Sequence, residues 1–193
     1  VYDYSQPIVI YSEPEVSTIP VSEAPVASDV GGTALPPGVS PTALDTFDQA
    51  RAAFQQGDYQ RALNLTNDTL KQLPGDAAVH EFRALCLFAL ADYRQAAATL
   101  NPVLAVGPGW DWTTLVSLYP KTDVYTGQVR KLEQYIDEHP KEADARFVLA
   151  YHYLTMGHKD AAAKQFGYVV KAVPTDAVAK QMYEALTYKP TDT

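Results

Sequence analysis

The sequence predicts an all-α chain, a right-handed solenoid of short helical hairpins that carries an extended N-terminal segment. Two observations predict the solenoid. Pro74, Pro108, Pro140 and Pro174 fall 34, 32 and 34 residues apart, and the stretch GDYQRAL at 57–63 returns as ADYRQAA at 91–97. A self-similar period near 34 residues marks stacked helical hairpins, each burying its apolar face on the next. The third observation sets the first forty residues apart. They hold six of the fourteen prolines and no Lys or Arg; the first basic residue is Arg51. Proline at that density excludes helix and central strand and favours extended or polyproline II backbone.

Taken in order, residues 1–40 form a Pro/Val/Ser-rich segment whose acids are Asp3, Glu13, Glu15, Glu23 and Asp29. Its β-branched and aromatic residues, above all Tyr2, Tyr4, Ile8, Val9, Ile10 and Tyr11, make it more apolar than a solvated linker. These six are the candidate docking residues. In an extended stretch Ile8 and Ile10 point to one side and Val9 and Tyr11 to the other. Gly31, Gly32 and Gly38 mark a joint before the helices.

Residues 41–193 carry the repeat. Its units are 43–76 (Ala50, Gly57, Tyr59, Ala62, Pro74), 77–108 (Ala84, Tyr93, Ala96, Pro108), 109–142, and 143–176 (Ala150, Gly157, Ala162, Phe166, Pro174). The third keeps Trp112, Leu115 and Pro140 but has Val116 and Gln128 at the two small-residue sites, and Pro120 shortens its first helix. Residues 177–187 read as a capping helix. The small residue of each first helix, the small residue of each second helix and the closing proline together resemble the tetratricopeptide repeat family, over about four fifths of the chain.

That resemblance implies a concave groove lined by the first helix of each hairpin. Carried onto this chain, its lining is Leu44, Phe47, Arg51 and Phe54 in the first unit and Glu81, Leu85 and Phe88 in the second. The third unit adds Trp110, Thr113, Ser117 and Lys121, and the fourth Asp144, Phe147, Tyr151 and Leu154. Such a lining suits an extended apolar peptide better than a charged one. The Lys/Asn clamp by which one subclass of the family holds a C-terminal carboxylate has no counterpart in it.

Composition narrows the function classes. Fifteen basic against twenty-three acidic residues, a net charge of −8, argue against nucleic acid and anionic membranes. The longest apolar run, Ala84 to Ala91, is far short of the ~20 residues of a membrane span. Cys86 is the one cysteine, so no internal disulfide or Cys-based zinc cage forms, and it reads as a small buried hydrophobe. His80, His139, His152 and His158 share no ligand spacing, and His152 reads as a packed core residue. No phosphate loop, HExxH or nucleophile elbow is present. The expectation is therefore a non-enzymatic chain with no cofactor and no metal.

Two sequons, Asn64-Leu65-Thr66 and Asn67-Asp68-Thr69, are candidate N-glycan acceptors if the chain is exported. The Val1 start points to export, to an extracellular or periplasmic place, and the Ser/Thr/Pro-rich first segment is then a candidate O-glycan stretch. The functional expectation is a structural protein whose first segment docks on the solenoid of a neighbouring copy, building a head-to-tail fibre. The rival is an exported adaptor that holds an extended apolar peptide of another protein in its concave groove.

Overall fold

The computed structural model describes residues 41–188, and within them the chain is all-α. The docking residues Tyr2, Tyr4, Ile8, Val9, Ile10 and Tyr11 lie outside the described residues. The helices are α1 (Pro41–Gln55), α2 (Tyr59–Gln72), α3 (Ala77–Ala89), α4 (Tyr93–Val106), α5 (Trp112–Ser117), α6 (Thr122–Glu138), α7 (Ala143–Thr155), α8 (Lys159–Ala172) and α9 (Ala177–Thr187).

Local chemistry sets these boundaries. Asp58, Asp76, Asp92, Asp111 and Asp176 each cap a helix, the carboxylate accepting the backbone N–H three residues on. The turn inside each regular hairpin needs one residue in the left-handed region. Gly57 (φ +82°) and Gly157 (φ +80°) supply it in the first and last hairpins, and Ala91 (φ +60°) is forced into the same place in the second. Ala62, Ala96 and Ala162 have no exposed surface, as the close crossing of two helices requires.

The hairpins α1–α2, α3–α4 and α7–α8 are the regular units. Helix α2 packs on α3, and α9 covers α8 and reaches α4. The stack departs from sequence order at one point: α4 packs directly against α7. The fourth sequence unit therefore sits next to the second, and the third is placed elsewhere. Pro120 and the two bulky residues at small-residue sites explain why. A six-residue α5 cannot form a full first helix, and Val116 and Gln128 cannot make the tight crossing that alanine allows.

The third unit lies across the stack. Helix α6 is amphipathic, burying Tyr125, Gln128, Val129, Leu132 and Ile136 along one stripe. That stripe, with Tyr119 just before α6 and Tyr135 beside the stripe, meets the turn ends of the three regular hairpins. The Tyr119 ring is 5.0 Å from Phe54 of α1, Tyr125 is 6.4 Å from Phe88 of α3 and 5.6 Å from His152 of α7, and Tyr135 is 5.0 Å from Tyr93 of α4. Helices α3 and α7, apolar almost all round, become interior helices with one continuous core between them and α6.

Candidate functional site

The groove expected from the first helices is filled by the chain itself. Phe54, Leu85, Phe88, Phe147 and Tyr151 are all at most 2% exposed. Tyr119 covers Phe54 and Tyr125 covers Phe88. Phe147 packs edge-on to Phe166 inside its own hairpin. Of the other expected lining residues, Phe47 is half-buried on Phe82, and Trp110 and Leu154 are half-buried. Leu44, Thr113, Ser117 and Lys121 are exposed, as is Arg51, 3.8 Å from Asp48. The expectation of an open apolar groove is thus corrected: its aromatic floor is core, because the displaced third unit offers an apolar stripe that the floor can bury.

A buried carboxylate pins the start of that unit. Glu81, 4% exposed, accepts through Oε1 from the Trp110 N–H at 2.6 Å and from the Tyr151 hydroxyl at 2.6 Å. Burial pushes its carboxyl above the ordinary range, and the two donors pull the other way. Gly109 (φ +75°) lets the backbone pass over this carboxylate. A Cβ there would stand 2.9 Å from Glu81 Oε1 and 3.0 Å from Tyr151 Cε2. Glu81 thereby fastens together α3, α7 and the entry to α5.

His152 occupies the middle of the junction. Its ring centroid is 3.9 Å from that of Phe88, and its Nδ1 is 3.1 Å from the Tyr125 hydroxyl. Its Nε2 is buried without a hydrogen-bond partner among the described residues. Desolvation pushes the imidazole down to about 3, so the ring is neutral in the fold. The reading of His152 as core agrees with this setting. Cys86 is fully buried too, and burial holds its thiol up at about 12, so it is inert.

The sequons lie on α2. Asn64 is exposed and receives a hydrogen bond from Gln60 Nε2 at 3.2 Å. Asn67 is half-buried and accepts from Arg83 Nε at 2.8 Å, while Arg83 Nη1 also donates to Thr99 at 2.6 Å. Asn67 is therefore part of a strut joining α2, α3 and α4. Among the described residues no cluster of three His, Cys, Asp or Glu side chains suits a metal ion, and no helix is long and apolar enough to cross a membrane.

A cleft of about 430 Å³ stays open on the far side of the α4–α7 contact, bordered by α8 and the start of α9. Ala97, Phe147 and Val169 are its buried apolar residues, and Arg94 and Asp144 stand among its charged ones. Asn101 donates to the Asp176 carboxylate at 3.1 Å across it. Sequence reasoning placed Phe147 and Asp144 in the groove and missed Arg94 and Asn101. The available signal was Pro102, a proline inside a helix that otherwise follows the repeat.

Comparisons with known proteins agree with the repeat reading. Two tetratricopeptide repeat family models match, one at residues 53–117 and one at 129–177, together more than half of the chain. Comparison with curated proteins finds no match. Several solved structures are similar at low identity. The first TPR of Spaghetti (RPAP3), bound to an HSP90 peptide, is 14% identical, covers 79% of this chain and 96% of its own, and has a TM-score of 0.34. The Sgt2 TPR domain from Aspergillus fumigatus is 15% identical over 80% of this chain and 89% of its own, with a TM-score of 0.34. MamA from Desulfovibrio magneticus RS-1 is 16% identical over 76% and 90%, with a TM-score of 0.35.

Proposed function

From the premise that this chain belongs to the tetratricopeptide repeat family, whose proteins mediate protein–protein interactions, we propose that it is a non-enzymatic assembly protein. Residues 1–40 of one copy dock on the solenoid of the next, giving a head-to-tail fibre outside the cytoplasm. The observation that carries this reading is the filled groove. With the floor at Phe54 and Phe88 buried under Tyr119 and Tyr125, the concave face offers a foreign peptide little apolar surface, which speaks for docking elsewhere on the body. An adaptor acting on other proteins would have to use the outer surface as well.

The first segment supplies a binding element of the right kind. Forty extended residues reach about 130 Å, while a body of ~150 residues has a radius of gyration of about 15 Å. The segment overreaches its own body and meets a neighbour. It contains no Lys or Arg while the body holds all fifteen, which favours contact between segment and body over contact between segments. A contact that donates on one side and accepts on another is heterologous, and such contacts propagate or close into rings.

Light scattering over a concentration series tests the proposal. The full chain is expected to grow in mass with concentration, and Ile8→Asp with Ile10→Asp, or deletion of residues 1–12, to keep it monomeric. A full chain that stays monomeric at every concentration overturns the reading.

A further inference from the structure

We propose that the cleft between α4 and α7–α9 is the seat of the segment Tyr2–Tyr11 of a second copy; this rests on the assembly reading above and names its docking site. The cleft exists because the fourth sequence unit takes the place next to α4, leaving a channel between helices that were not consecutive in sequence. Its apolar floor of Phe147 and Val169 suits a row of β-branched side chains from an extended segment. Ile8 and Ile10, on one side of an extended segment, face that floor together.

The rim is matched to backbone as well. Pro102 lies inside α4 and has no N–H, so the donor that would pair with the Ala98 carbonyl within the helix is missing. Ala98 borders the cleft, and its carbonyl can accept an N–H from a peptide lying alongside. Asp176 is already engaged, accepting from the Ala179 N–H as the cap of α9 and from Asn101. Arg94 is the cation of the cleft and already attracts Asp144 beside it; Asp3, the one charged residue of the segment 2–11, would share it with Asp144. A shared contact of Asp3 with Arg94 would set the direction in which the segment enters.

The length of chain outside the described residues allows this seat in a neighbour. About thirty residues separate Tyr11 from the start of α1 at Pro41, and extended they span on the order of 100 Å.

Photo-crosslinking in the full chain tests the assignment. Val9→Cys provides one reactive thiol, since Cys86 is buried and inert. A benzophenone maleimide is placed on it, and equal amounts of heavy- and light-isotope copies are mixed before irradiation. The expected result is mixed heavy–light crosslinks confined to residues 94–102, 143–147 and 169–176. Adding Ala98→Arg, a change at an exposed position, should reduce their yield roughly tenfold. Mixed crosslinks at other places on the body, or a yield indifferent to Ala98→Arg, overturn the seat and leave assembly standing. Crosslinks within single copies only, or none, overturn both.

Discussion

Acid should unfold this protein through one imidazole. His152 is fully buried between Phe88, Tyr125 and Tyr151, and desolvation lowers it from 6.5 to about 3. The unfolded chain binds a proton below pH 6.5 that the folded chain refuses until about pH 3. Stability from this residue is therefore complete above pH 6.5 and lost as the pH falls towards 3, with a slope approaching 1.4 kcal/mol per unit, to order of magnitude. Between pH 7 and pH 5 the loss comes to about 2 kcal/mol, or about 4–8 °C in Tm for a body of this size. Urea unfolding of the full chain at pH 7, 6 and 5, beside His152→Phe, isolates the contribution. Every other titrating group is common to both proteins, so the difference in their pH slopes belongs to His152. The replacement also removes the orphaned Nε2, so its effect at pH 7 combines that relief with the loss of the Tyr125 contact. Equal slopes for the two proteins, or an imidazole that titrates near pH 6.5 in the folded state by NMR, would refute the buried neutral ring.

Two further outcomes follow from the same core. Glu81 behaves in the opposite sense, because burial raises its carboxyl above 4.5. The stability it adds is present below that value and lost as the pH rises through the folded value. Glu81→Gln keeps an oxygen for the Trp110 N–H and the Tyr151 hydroxyl, and in paired urea titrations from pH 4 to 7 it should lack that acid-side gain; parallel curves would count against a buried ionisable latch. In the second hairpin, Ala91 holds a left-handed backbone that Gly57 and Gly157 hold in the others. Ala91→Gly removes about 1–2 kcal/mol of steric cost and gives back about 0.4–1 through the looser unfolded chain, so Tm should rise slightly; a clear fall would show that the turn is not strained.

How far the sequence revealed the fold depends on which residues did the signalling. The regular hairpins were legible because their signals are local. Asp58 and Asp92 cap second helices, Gly57 and Gly157 turn the chain, and Ala62, Ala96 and Ala162 sit at the crossings, all at fixed offsets within one period. The burial of His152 and Cys86 was legible for a similar reason, since each is flanked by apolar residues on an apolar helix. The groove was not. Phe54, Phe88 and Tyr151 occupy positions that face a ligand in the family pattern, and nothing local tells a residue that waits for a partner from one already covered.

The covering lies in a relation between distant residues. Tyr125, Gln128, Val129, Leu132 and Ile136 form a stripe with helical spacing, and that stripe looks the same whether α6 closes its own hairpin or lies across three others. What decides between them is a failure and a fit. Pro120 and the bulk of Val116 and Gln128 deny α6 a first helix to pack on, and the aromatic floor of α1, α3 and α7, which would otherwise face water, offers an apolar surface close by. Burial of a side chain such as Leu132 contributes roughly 1.5–3 kcal/mol wherever it happens, so the chain takes the arrangement in which the whole stripe is covered. The same displacement frees the place beside α4, brings α7 into it, and opens the cleft whose rim holds Arg94 and the Ala98 carbonyl. Loss of the repeat pattern in one unit therefore closes one binding face and creates another. If that coupling holds, a polar break in the stripe, such as Val129→Asp, should expose the aromatic floor and distort the cleft together, rather than loosen α6 alone.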